Sequence, residues 1–339
     1  MRLLVLGGTS FVGRAIVDDV LSRGDEVTLF SRGRTGTELF PGVERLLGDR
    51  DSGDYASLAG RSFDAVVDVS GYVPRHVREA ADAIGDAVGD AIDDAIDDGV
   101  GRYLFISTGS VYDRLRAPGG GMDEDAARLP PETGTEEITG ETYGPLKVAC
   151  EDEVTGRFGD RATIVRPGIV AGPHDPTDRF TWWVRRAAKG GRVALPGRPE
   201  QPVQVVDSGD LARLVGSLLH DDRAGTYNAV GPEPATTLAG LVQTCAEAAG
   251  STIELVPVDP AGVDPGFPLV LGDPSWDVMF RRSAARARAA GLTATPLAAT
   301  AEAVLAWDRS RGEPDLSVAL TPEREAELLS GWAAGRLGG

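Results

Sequence analysis

Lysine is nearly missing from this chain of 339 residues: among 34 Lys and Arg residues, only Lys147 and Lys189 are lysine. Cysteine is as scarce. Cys150 and Cys245 make neither a disulfide framework nor a metal-ligand pattern. Three scattered histidines, His76, His174 and His220, supply no metal cluster either, so no metal site is expected. No apolar run reaches the roughly 18 residues of a membrane span. The first residues run straight into a strand pattern, leaving no room for a signal peptide. These absences make a cytoplasmic protein without a membrane partner the expectation. Positive charge is in deficit too: 52 acidic against 34 basic residues give a formal charge of −18. That balance opposes the basic face of a nucleic-acid binder, so no nucleic-acid partner is expected. At 42% hydrophobic and 25% charged, the chain reads as globular and long enough for one large domain or two coupled ones.

What is present begins at once. Residues 2–6 (Arg-Leu-Leu-Val-Leu) form a short apolar run suited to a buried parallel strand. Gly7-Gly8-Thr9-Ser10-Phe11-Val12-Gly13 follows, and then a helical pattern with apolar residues at 12, 16, 17, 20 and 21, ending at Gly24. Strand, glycine turn and helix are the context a dinucleotide fingerprint requires. The turn at Gly7 offers backbone N–H groups, and the helix its positive end, to a pyrophosphate. Gly7, Thr9, Ser10, Phe11, Val12 and Gly13 are therefore expected to hold a cofactor. Ser10 departs from the usual glycine at the middle position. After the second strand (26–30) an NAD site usually carries Asp or Glu. This chain has Ser31-Arg32-Gly33-Arg34 instead. Arg32 and Arg34 suit a 2′-phosphate, which favours NADP over NAD.

Strand and helix signals keep alternating. A third strand (43–47) leads to Asp49 and Arg50, where an acid can meet the adenine. A fourth (63–69) ends at Val69, Ser70 and Gly71, small enough for a cofactor to approach. Further strands are read at 102–107, 161–166 and 226–230. The pattern predicts an α/β fold with a Rossmann-type, doubly wound parallel sheet whose ligand lies at the carboxyl ends of the strands. A four-residue quasi-repeat over 83–98, with Asp86, Asp90, Asp94 and Asp98, reads as a solvated helix face without assigned function.

The scarce lysine sits in Tyr143-Gly144-Pro145-Leu146-Lys147. On a helix, residues i and i+4 share a face, with Cβ atoms roughly 5–6 Å apart. An ammonium there would lower a tyrosine pKa from about 10 and make it a proton donor and acceptor.

Taken with Ser107-Thr108-Gly109-Ser110-Val111-Tyr112 and Arg166-Pro167-Gly168-Ile169-Val170-Ala171-Gly172-Pro173, these motifs resemble the extended short-chain dehydrogenase/reductases, the NAD-dependent epimerase/dehydratase family. Val205-Val206-Asp207-Ser208-Gly209-Asp210-Leu211-Ala212 fits as well, and the resemblance covers about residues 1–230. It implies Thr108 as the hydroxyl that binds the reacting oxygen, with Ser107 and Ser110 as possible substitutes. It implies Tyr143 as the acid/base and Lys147 as the holder of the nicotinamide ribose. Pro167, Gly168 and Val170 would lie beside the nicotinamide. Asp-Glu after the catalytic Thr, the sugar 4,6-dehydratase pattern, is replaced by Gly109-Ser110. Carbonyl reduction, alcohol oxidation or epimerisation of a sugar derivative remain, with an NADP-preferring reductase favoured and an NAD-dependent epimerase as the alternative. Gly-Gly-Thr-x-Phe-Val-Gly also resembles an RNA-binding branch, and other relatives act as nucleotide sensors. Relatives commonly pair through helices beside the active site, which implies a homodimer acting on a small molecule.

The division expected is a dinucleotide-binding domain at 1–172, rejoined by 203–230, and a substrate-binding domain from 173–202 and 231–339. Phe180, Trp182 and Trp183 suit the wall of an apolar pocket or the domain core equally, and Arg179 is a candidate partner for an anionic group. His174 and Gln204 are further substrate candidates. The turns at 264–268 and 272–276 are read as pocket loops.

Overall fold

The structure is a computed structural model that describes residues 1–85, 101–116, 122–196, 198–258, 267–271, 273–318 and 320–336. Its strands are β1 (Arg2–Leu6), β2 (Glu26–Ser31), β3 (Glu44–Leu47), β4 (Ala65–Asp68), β5 (Arg102–Ile106), β6 (Ala162–Pro167), β7 (Ile169–Ala171), β8 (Gly191–Pro196), β9 (Pro202–Val203), β10 (Val205–Asp207), β11 (Gly225–Ala229), β12 (Thr236–Thr237) and β13 (Ile253–Val258). The main helices are α1 (Phe11–Ser22), α2 (Pro74–Gly85), α3 (Tyr143–Phe158), α4 (Arg179–Ala188), α5 (Ser208–His220), α6 (Leu238–Ala248), α7 (Ala285–Ala289), α8 (Leu297–Ser310) and α9 (Pro322–Arg336).

Seven strands pair in parallel in the order β11-β6-β5-β4-β1-β2-β3. The expected doubly wound sheet is therefore present. Its strands lack alternation because both faces are covered: Leu3, Leu4, Val5 and Leu6 are all fully buried. Each such side chain contributes about 1.5–3 kcal/mol relative to exposure. On one face Ile16, Val17 and Val20 of α1 pack with Leu211, Leu214 and Leu218 of α5. On the other, Val77 and Ala80 of α2 meet Cys150 and Val154 of α3. The chain order reverses between β1 and β4, which opens a crevice at the carboxyl ends, where doubly wound sheets bind ligands.

A separate core joins α4, α6 and α8 to β8 and β13, around Trp183, Phe180, Leu241, Val256 and Val304. The segment carrying Ala284, Ala287, Ala290 and Leu292 returns to pack against the sheet side. Helix α2 ends at Gly85, so Asp86, Asp90, Asp94 and Asp98 of the quasi-repeat lie outside the described residues.

Candidate active site

A cleft of about 1110 Å³ runs along the carboxyl edge of the sheet and under the second core. Its nucleotide end is built by β1, the turn and α1. Gly7 takes a left-handed φ of +94°, and a Cβ on Gly13 would stand 2.1 Å from the Gly7 carbonyl oxygen. The helix can approach the strand only because both lack side chains. Ser10 is the N-cap of α1 but makes no capping bond, so its hydroxyl stays open to the cleft. A 12-residue helix with free N–H groups at such a cradle fits a pyrophosphate. Thr9, Phe11 and Val12 line the same end, as do Val69 and Ser70 after β4.

Arg32 and Arg34 are exposed at the rim, beside Asp51 at 3.3 Å and Asp49 at 3.7 Å respectively. Arg50 differs from the expectation of a free ligand group. It lines the cleft but is buried, with Nη1 and Nη2 on Asp68 at 2.6 and 2.9 Å and further bonds to Ser70 Oγ and the His76 carbonyl. Burial opposes the charge on Asp68, but the Arg50 ion pair wins and holds that carboxyl below its ordinary range. Arg50 therefore ties the ends of β3 and β4 together.

Thr108, Ser110, Tyr143 and Lys147 meet at the far side of the cleft. Thr108 follows β5 by two residues in extended backbone, its Oγ1 accepting from Ser110 N at 3.2 Å and donating to Ser110 Oγ at 3.3 Å. Tyr143 opens α3, and its phenol lies close enough to the Thr108 hydroxyl for that group to act on its pKa. Lys147 is 2% exposed and donates to the Gly71 and Ile106 carbonyls, both at 2.8 Å. One of its three N–H bonds remains for a ligand. Burial brings its pKa down to about 8.

The tyrosine departs from expectation. Burial raises the Tyr143 pKa, the neighbouring Thr108 hydroxyl opposes that rise, and Lys147 is not among its leading influences. The reason is geometric: the ammonium is turned toward two carbonyls rather than the phenol. Ser107 is no open substitute for Thr108, since its hydroxyl donates to Glu151 Oε1 at 2.6 Å inside the fold. Gly71 serves through its carbonyl rather than as part of the cleft wall.

Pro167 at the end of β6, Gly168, and Val170 in β7 line the cleft, and Arg179 lines it at the start of α4. Other substrate candidates are displaced. Trp182 and Trp183 point into the second core, with their indole N–H groups on the Leu320 and Pro268 carbonyls at 3.3 and 2.6 Å. Phe180 is buried with them. His174 stands edge-on to Trp307 at 5.3 Å, outside the cleft lining. Gln204 is buried and bonds the Arg282 backbone in both directions, at 2.9 and 3.1 Å. Of the expected pocket loops, 264–266 and Gly272 lie outside the described residues, Phe267 is in the second core, and Trp276 lines the cleft.

Sequence reasoning missed Glu151 and Arg282. Glu151 is fully buried and accepts from Ser107, from Arg166 Nε at 2.9 Å and Nη2 at 2.7 Å, and from Arg128 at 3.0 Å. It locks α3 to β5 and β6, and so fixes the face that carries Tyr143 and Lys147. Its place four residues after Lys147 was a usable signal. Asp175, buried and with its carboxyl pushed up by burial, and the apolar Leu269, Val270, Leu271, Met279 and Phe280 complete the wall.

The seven-stranded parallel sheet and its strand order define an α/β protein of the Rossmann type. The chain belongs to the NAD dependent epimerase/dehydratase family, whose model matches residues 3–230. Among similar proteins, the chloroplast stem-loop binding protein of 41 kDa b from Arabidopsis thaliana is 24% identical over 266 residues, covering 74% of this chain and 63% of that protein. The chain thus spans just under two thirds of that relative's length. The UDP-glucose 4-epimerase of Thermus thermophilus, solved with NAD, superposes with a TM-score of 0.66 at 22% identity, covering 91% of this chain and 99% of that one. A human epimerase family protein solved with NADPH gives 0.62 at 22%, covering 90% and 99%. At these identities the superpositions establish the fold alone. No helix among the described residues is long and apolar enough to cross a membrane.

Proposed function

We propose that the protein is an NADP-preferring oxidoreductase that moves a hydride to a carbonyl carbon of a small molecule. The observation carrying this reading is the convergence of Thr108, Tyr143 and Lys147 on one cleft with the glycine cradle at its other end. Residues 7–13 would hold the pyrophosphate, Arg32 and Arg34 the 2′-phosphate, and Pro167, Gly168 and Val170 the nicotinamide side. When bound, the nicotinamide supplies the hydride. Thr108 donates a hydrogen bond to the substrate oxygen. Tyr143, its phenol kept protonated by burial, delivers the proton to that oxygen. Lys147 holds the ribose with the N–H left over from Gly71 and Ile106. Asp49 would sit near the adenine.

NADPH oxidation across a panel of aldehydes and ketones tests the reading. Tyr143→Phe is expected to keep NADPH affinity and lower turnover by about 10²–10⁴-fold. Full turnover in that variant would contradict the mechanism. NAD retained through purification would instead favour redox-neutral epimerisation. RNA binding is a second reading, favoured by the similarity to the chloroplast stem-loop binding protein. The charge of −18 weighs against it. Salt-sensitive retention of an RNA stem-loop by the pure protein is its test. A cytoplasmic homodimer, with the division of domains at 172, 203 and 230, is the accompanying proposal for its organisation.

A further inference from the structure

Buried arginines in this fold come with acids. Arg50 has Asp68, Arg102 has Asp222, and Arg166 has Glu151. Arg282 does not. It is 5% exposed, its Nε is buried without a hydrogen-bond partner, and no carboxylate pairs with it among the described residues. Burial lowers its pKa to about 10, which still leaves it charged at neutral pH. A buried cation without a counterion is costly.

Its position is built rather than accidental. Gln204 grips its backbone N–H and carbonyl, and Met122 forms a β-bridge to it. The guanidinium lies at the cleft between two glycines. Its Nη1 stands 1.1 Å from where a Cβ on Gly109 would be, and its Nη2 3.2 Å from that of Gly168. Gly109 directly follows Thr108, and consecutive Cα atoms are about 3.8 Å apart. The unpaired charge therefore lies beside the residue one step along the chain from Thr108, and Arg282 and Thr108 line the same cleft.

We propose that Arg282 seats a carboxylate of the substrate, one or two carbons from the carbon whose oxygen meets Thr108 and Tyr143. The substrate class is then a 2- or 3-oxo acid, or the matching hydroxy acid. This rests on the oxidoreductase reading for the reaction, though not for the anion site itself. The planar fork of a guanidinium matches a carboxylate with two parallel N–H bonds. Leu269, Leu271, Met279 and Phe280 would cover the hydrocarbon remainder.

The test is calorimetric titration of the protein saturated with NADP⁺. The probes are 2- and 3-hydroxy acids of four to ten carbons, their methyl esters and inorganic phosphate. At least one acid is expected to bind tenfold or more tightly than its ester and than phosphate. Arg282→Met should abolish that preference, change NADP⁺ affinity less than twofold, and raise the thermal midpoint of the ligand-free protein. Gly109→Ala keeps the arginine but puts a methyl group where Nη1 sits, and should abolish the preference too, even if Arg282→Met fails to fold. Equal binding of acids and esters, tighter binding of phosphate, or a parallel loss of NADP⁺ and acid in Arg282→Met would overturn the proposal. If NADP⁺ does not bind but the acid preference and its dependence on Arg282 persist, the oxidoreductase reading falls while the carboxylate seat stands.

Discussion

The two ends of the cleft handle charge in opposite ways. At the nucleotide end the charges are already paired: Arg50 with Asp68 inside, Arg32 with Asp51 and Arg34 with Asp49 at the rim. At the candidate catalytic end Arg282 is buried without an acid among the described residues, and Arg179 is exposed beside Thr177 Oγ1 at 3.1 Å. On the proposed reading the first end would grip the pyrophosphate through a preset backbone cradle, and its buried Arg50 is left to satisfy Asp68. The second keeps charge unspent, and its stability is given up for a ligand.

Breaking a pair at the nucleotide end should therefore have the largest effect on folding. Arg50→Leu leaves Asp68 buried with a charge held only by Tyr103 and the Ser70 amide. A loss of about 3–5 kcal/mol is expected, read as the shift in a urea denaturation curve. A change below about 1 kcal/mol would mean that solvent reaches the pair and that the contrast with Arg282 is false.

The rim pairs should matter less, because exposed ion pairs are worth little. Arg32→Ala with Arg34→Ala is expected to leave folding unchanged and weaken NADPH by roughly tenfold, without weakening NADH. Equal losses for both nucleotides would remove the argument for NADP.

The smallest effect expected is a pH trend. The Lys147 pKa of about 8 in the fold lies below its ordinary 10.5. Between those values the unfolded chain holds a proton that the folded one has lost, so this residue makes stability rise with pH across about 8 to 10.5. The ammonium that would grip the ribose is lost over the same span. NADPH affinity should weaken as pH passes about 8, and Lys147→Met should bind more weakly with that dependence gone. An unchanged pH dependence in the variant would separate Lys147 from the cofactor.

The same contrast explains how far the sequence could be read. The cradle lies in one uninterrupted run, 7–13, between a strand and a helix, and the pair Tyr143 and Lys147 spans one helical turn. Such signals are local, and short apolar runs report the sheet because both of its faces are buried. The catalytic end is assembled from distant segments. Arg282 is one arginine among many, and only the fold brings it to Gly109 and Gly168. Trp182 and Trp183 leave the sequence undecided because a pair of tryptophans suits a pocket or a core equally, and burial decides for the core. Gln204 reads as a substrate residue but acts one step behind it, on the backbone of Arg282. The expectation of a lowered tyrosine pKa fails because residues sharing a helix face need not point their charges at each other. Lys147 meets carbonyls first.

The most direct test of the central claim is calorimetric titration of the purified protein with NADPH and NADH in parallel. The account predicts that both bind and that NADPH binds roughly tenfold more tightly. Binding of neither nucleotide would contradict it, because a cradle with Ser10 at its middle position would then not be a nucleotide site at all.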